Sequence, residues 1–185
     1  FTPLWWIEKE TRKHPEPFTL ISADDVKSGK YLPIFQPQES LAYCEELEKR
    51  GKKILTIWPF HTMVGSISHA LNSAVYEAIL FHGTARISQP TFLQKGTVPN
   101  TENYSVLSPE VKKTSHPQGG FNTPFFNALM RHDRVYICGE ASSHCVMETL
   151  IDIQKEFSGD KDMLDKVYIL EDCMSPVSPV TDKDG

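Results

Sequence analysis

Apolar runs of strand length alternate with segments of helical periodicity from about residue 40 to residue 170, and this alternation admits few architectures. Ser40 to Arg50 sets Leu41, Cys44 and Leu47 at helical spacing and stops at Gly51, a fitting helix end. Lys53 to Ile57 follows as an expected strand. Ser68 to Phe81 then predicts a helix with Leu71, Val75 and Ile79 on one face. Phe92 to Gln94 predicts a short strand, and residues 96–120, rich in Pro, Asn, Ser and Gly, predict loop. Thr123-Pro124 predicts an N-cap with proline in the first turn of a helix carrying Phe125, Leu129 and Met130. A strand from Arg134 to Cys138, a helix from about His144 and a strand from Val167 to Leu170 complete the pattern. Strands separated by helices pair in parallel through right-handed crossovers, with helices on both faces. The expectation is one α/β domain over residues 1–185, a three-layer α/β/α arrangement around a mostly parallel sheet. The opening stretch, Phe1 to Pro37, is expected to be irregular and to pack across a pocket or against a neighbouring subunit of a homo-oligomer.

In such a sheet, side chains just beyond the carboxyl ends of the strands collect around ligands. Three segments put reactive groups there. Gly139-Glu140-Ala141-Ser142-Ser143-His144-Cys145-Val146 places a thiol between the strand ending at Cys138 and the helix that carries Met147, Leu150 and Ile151. Unpaired N–H groups and the helix dipole at that junction favour thiolate and can hold an oxyanion. A lone cysteine is nonetheless more often a small apolar residue packed behind a strand. Phe92-Leu93-Gln94-Lys95-Gly96 puts a cation at the end of a short apolar run, although most lysines are solvated surface groups. Ile54 to Ile57, followed by Trp58-Pro59-Phe60-His61, sets an imidazole at another strand end, and one histidine alone makes no metal site.

Taken together, and in this order, the three segments resemble the nicotinamidase branch of the isochorismatase-like cysteine hydrolases. Trp58-Pro59-Phe60-His61 is similar to that branch's Trp-Pro-x-His metal-ligand motif. Lys95-Gly96 with Tyr104-Ser105 is similar to its catalytic-lysine loop, Gly139 to Val146 to its nucleophile turn, and Val167 to Asp172 to its following strand. The likeness covers roughly residues 54 to 178. It implies that the Cys145 thiolate attacks a carboxamide, that backbone N–H groups near Ala141 and Cys145 hold the oxyanion after a cis Glu140-Ala141 peptide, and that Lys95 tunes the reacting groups by its charge. It also implies that Trp58 and Tyr104 flank a pyridine ring and that His61 helps to bind a divalent metal, zinc by preference, with iron or manganese as alternatives. The activity implied is conversion of nicotinamide to nicotinate and ammonia in NAD salvage. A cysteine amidase acting on a carbamoyl or ureido compound would share Cys145 and Lys95 without the metal, and a non-catalytic binding protein could retain the fold.

The chain departs from the family pattern in several places. The family's catalytic aspartate, in a first strand, and its Asp-x-His metal-ligand segment have no counterpart here. Phe1 to Ser22, with Pro15, Pro17 and Phe18, resembles the loop that follows that segment, so a missing N-terminal β-α-β portion is expected. Ser143 stands where aspartate is usual, and Thr62 follows the metal histidine where cysteine is frequent.

Composition narrows the partners. With 185 residues, 39% apolar, the chain suits one core, and a formal charge of -5 offers no basic patch for nucleic acid or an anionic membrane. No apolar run approaches the roughly 20 residues of a membrane span. The expected partner is a small-molecule amide. Cys44, Cys138, Cys145 and Cys173 show no C-x-x-C spacing, which favours reduced thiols and a cytoplasmic setting.

Overall fold

The computed structural model describes residues 1–50, 53–158 and 160–177. The chain divides into two compact units, Phe1–Gln94 and Lys95–Gly185. Both mix helices with small sheets.

The first unit begins with a 3₁₀ turn over Pro3–Trp5 and strand β1 (Trp6–Glu8). Strand β2 (Leu20–Ile21), helix α1 (Ala23–Lys27), strand β3 (Tyr31–Pro33), helix α2 (Pro37–Lys49), strand β4 (Leu55–Thr56) and helix α3 (Ser73–Arg86) follow. β1 pairs antiparallel with β3, Ile7 opposite Leu32, and β2 pairs antiparallel with β4, Ile21 opposite Leu55. The opening stretch is therefore not irregular. Its order comes from aromatic packing: the Phe1 ring lies 4.6 Å from that of Tyr43 on α2, and the Trp5 indole donates to Ser40 Oγ at 2.9 Å. Trp6, Ile21, Tyr43, Cys44, Leu47, Leu55 and Ile57 are buried.

Helix α1 shows how local chemistry sets an element. Ser22 accepts from the Asp25 N–H at 3.0 Å while the Asp25 carboxylate accepts from the Ser22 N–H at 3.1 Å, a reciprocal cap. Helix α2 starts at Pro37, earlier than expected, because proline suits a first turn whose N–H has no partner. Its expected stop, Gly51, lies outside the described residues. Helix α3 starts later than expected, after a 3₁₀ turn at Ile67–His69, because Asn72 Oδ1 accepts from the Ala74 N–H and fixes the start there.

The second unit contains helix α4 (Thr123–Met130), strand β5 (Val135–Ile137), helix α5 (Met147–Glu156), helix α6 (Lys161–Leu164) and strand β6 (Val167–Ile169). β5 and β6 are parallel, with Val135, Tyr136 and Ile137 opposite Val167, Tyr168 and Ile169. This β5-α5-β6 crossover matches the expected alternation. Leu107, Phe126, Met130, Ile153 and Phe157 form the core beneath it. The cap of α4 is Asn122, whose Oδ1 accepts from the Phe125 N–H at 3.2 Å, so Thr123 and Pro124 fall inside the first turn.

Two expected members of a parallel sheet differ. The Lys53–Ile57 run yields only the two-residue β4, paired antiparallel, and Phe92 to Gln94 is irregular. Among the described residues, the three sheets have two strands each and one is parallel. Short apolar runs do not encode their pairing partner, and a run of three residues carries too few ladder bonds to form a strand without one. None of the helices among the described residues is long and apolar enough to cross a membrane.

Candidate active site

In the second unit, the chain leaves β5 at Ile137 and reverses through Cys138 and Gly139. Gly139 takes φ 124°, a conformation that side chains with a Cβ rarely adopt. The Glu140–Ala141 peptide is cis, the isomer expected there. Ser142–Val146 then forms one π-helical turn that runs directly into α5. The Ala141 carbonyl closes that turn by accepting from the His144 N–H at 3.1 Å and the Val146 N–H at 3.2 Å. Cys145 is half-buried on it, at the foot of α5. The expected position of the thiol, after a strand and before a helix, is thus observed, with a wider turn than an ordinary helix start. Single π turns occur often at functional sites.

Thr149, one helical turn on, fixes the Cys145 backbone. Its hydroxyl donates to the Cys145 carbonyl at 2.8 Å and accepts from the Val106 N–H at 3.2 Å. The second bond joins α5 to the loop that carries Lys95 and Tyr104.

That loop is polar by composition yet largely buried, with Val98, Thr101, Tyr104, Ser105, Leu107 and Val111 all inside. Thr101 Oγ1 donates to the Val111 carbonyl at 2.8 Å and accepts from the Val111 N–H at 3.2 Å, so side chains replace a sheet ladder in satisfying the backbone. Lys95 is not at the end of a strand. It is placed by its own ammonium, which donates to the Tyr104 carbonyl at 2.6 Å. The Tyr104 ring lies 5.8 Å from the ring of His144, the neighbour of Cys145. Lys95, Tyr104, Ala141 and Cys145, far apart in sequence, are therefore linked through the Lys95–Tyr104 bond, the Tyr104–His144 contact and the turn itself.

Sequence reasoning missed Thr149 and Ser175 in this region, and it named Glu140 and Ser143 without giving either a contact. The segment after β6 lies along the turn. The Gly139 N–H donates to the Cys173 carbonyl at 3.2 Å, the Ser142 N–H to the Ser175 carbonyl at 2.9 Å, and the Val177 N–H to Ser143 Oγ at 3.0 Å. Ser175 Oγ reaches both Glu140 carboxylate oxygens at 2.9 Å. Thr149 was legible as a hydroxyl four residues beyond the thiol. Ser175, 35 positions from Glu140, carried no local signal.

Cys44 is buried, whereas Cys138 and Cys173 are exposed beside the turn. The Asp172 carboxylate next to it, above all, pushes the Cys173 thiol above its ordinary value.

Trp58 and His61 belong to the first unit. The Trp58 ring meets Phe18 edge-on at 5.6 Å and lies 6.1 Å from the His61 ring. His61 is exposed, and its Nδ1 is 2.6 Å from the Pro59 carbonyl. A carbonyl only accepts, so Nδ1 donates to it and Nε2 is the ring nitrogen left to take a metal, the arrangement a metal-ligating histidine uses. Among the described residues no three His, Cys, Asp or Glu side chains gather as a divalent ion requires. They supply one oriented donor rather than a ligand set.

No protein-family model, no curated protein and no solved structure matches this chain.

Proposed function

We propose that the chain is a cysteine amidohydrolase, and a nicotinamidase before any other, built on a three-layer α/β/α scaffold. The observation that carries the reading is the setting of Cys145: a half-buried thiol on a π turn that opens α5, with the Lys95-anchored Tyr104 loop laid against the adjacent His144.

In this reading the Cys145 thiolate attacks the carboxamide carbon, and a C–S bond forms as the carbonyl oxygen takes the charge. The N–H groups of Ser142, His144 and Val146 are already held by the Ser175 and Ala141 carbonyls. The amides of Ala141 and Cys145 are the ones assigned to the oxyanion, where preorganised donors are worth several kcal/mol. Collapse breaks the C–N bond, the nitrogen leaves as ammonia with an added proton, and water hydrolyses the thioester to the acid and the thiol. The proton shuttle falls to an aspartate that none of the motifs here supplies. Lys95 favours the anionic forms by its charge, and Tyr104 offers a face to an aromatic substrate.

His61 is assigned as one ligand of a divalent ion, zinc first, which when bound would supply a Lewis acid or a polarised water. Its Nδ1–H bond to the Pro59 carbonyl supports that assignment. Nicotinamide and a ureido compound, assayed for ammonia release on full-length protein before and after chelation, separate the readings. Chelator-sensitive nicotinamide hydrolysis is expected. Chelator-insensitive turnover of the ureido compound alone would favour the other amidase, and no turnover of either would favour a binding protein.

A further inference from the structure

The segment after β6 touches the nucleophile turn in regular steps. Cys173 accepts from Gly139, Ser175 accepts from Ser142 and donates to Glu140, and Val177 donates to Ser143. The contacts fall at every second residue, 173, 175 and 177: Cys173 ends a 3₁₀ turn (Glu171–Cys173), and the chain after it runs as an extended strap beside the turn. Ser175 is bonded to the turn through both backbone and side chain: its carbonyl holds the Ser142 N–H and its hydroxyl reaches Glu140 on the other side of Ala141. Ala141 is thus bracketed by two groups tied to the same serine. Ala141 also closes the π turn that carries Cys145, so whatever fixes Ala141 fixes the distance between its amide and the thiol.

We propose that Ser175 is a positioning residue for the nucleophile turn, acting through Glu140 to hold Ala141 in register with Cys145. The proposal rests on the cysteine-hydrolase reading for its consequence in turnover, but its geometry does not depend on the substrate. Ser175 touches no reacting atom. Its hydroxyl matters because Glu140, anchored elsewhere or not at all, leaves the N-terminal side of Ala141 to solvent fluctuation, and misplacement of about 1 Å at a reacting centre can cost 100-fold in rate. A single exposed hydrogen bond is too weak to decide whether a domain folds, yet it can shift a turn between conformers.

The test compares Ser175→Val with Ser175→Thr in full-length protein. The two side chains share a shape and differ in the hydroxyl. With nicotinamide as substrate, Ser175→Val should lower kcat about tenfold with KM little changed, and Ser175→Thr should recover most of the loss. Glu140→Ala should act like Ser175→Val, and the two together should cost no more than either alone, since they share one contact. Should the parent protein not hydrolyse nicotinamide, the function reading falls and positioning is judged on a second measurement. That measurement is the rate of Cys145 alkylation by iodoacetamide relative to Cys138 on the same molecule, read by peptide mass. Ser175→Val should change that ratio severalfold and Ser175→Thr should not. If valine and threonine variants behave alike in both measurements, or both match the parent, the proposal is wrong. Ser175→Ala replaces the valine variant if the latter melts well below the parent.

Discussion

A thiol on a π turn reacts according to its surroundings, and the four cysteines of this chain differ in theirs. Cys44 is shielded from reagents, and Cys173 is exposed but has its thiolate disfavoured by Asp172. Cys138 is the fair comparison: exposed, three residues before Ala141, and off the turn. Selectivity for Cys145 can therefore not come from burial of the other three. Iodoacetamide should modify Cys145 faster than Cys138, with Cys173 slower and Cys44 slowest, in a time course followed by peptide mass. Equal rates at Cys138 and Cys145 would show that the turn confers no activation. Lys95→Met removes the ammonium that holds the Tyr104 carbonyl, so alkylation of Cys145 should slow relative to Cys138 on the same molecule. An unchanged ratio would show that the Lys95 bond does not reach the thiol's surroundings.

At the scale of elements, α1 offers a test of local chemistry that is independent of function. Ser22→Ala removes one half of the reciprocal cap and should lower stability by about 1 kcal/mol in denaturant unfolding. Burial opposes the charge of Asp25, yet the Ser22 N–H, the Lys30 ammonium and the Ser22 hydroxyl outweigh it and hold the carboxyl below its ordinary value. A lowered folded value means that its stabilisation is fully present above the unfolded aspartate range, about 3.9, and is lost as pH falls through the folded value. Asp25→Asn should therefore destabilise at neutral pH and converge with the parent in acid; a constant difference at all pH values would contradict this. Helices with an apolar face were legible because a periodicity is local; α1, five residues long, was not, since its cap lies in a stretch that reads as irregular. Strand pairing was not legible either. β4 reads as a strand from Leu55 and Ile57, but its partner, Leu20–Ile21, lies in a stretch whose prolines and charges suggest irregular chain. The residue-96 to residue-120 loop was legible as a loop, and its burial was not, because Thr101 and Ser105 satisfy backbone groups that composition treats as solvated.

Across the whole molecule, the six residues singled out by motif divide between the units: Trp58 and His61 in the first, Lys95, Tyr104, Ala141 and Cys145 in the second. The second set is linked by one hydrogen bond, one ring contact and one turn, none of which has a sequence signature beyond residue order. The metal half of the account makes its own prediction. Full-length protein should hold about one divalent ion per chain, and His61→Ala should lose most of it in elemental analysis, since removing one of a few ligands is seldom tolerated. Metal content unaffected by that change would remove His61 from the site. The chemistry itself rests on Cys145, and ammonia release from nicotinamide by full-length protein and by Cys145→Ala, purified side by side and matched in thermal melting, tests it most directly. The account predicts turnover in the parent and a loss of at least about 1,000-fold in the variant; substantial ammonia release by folded Cys145→Ala would contradict it.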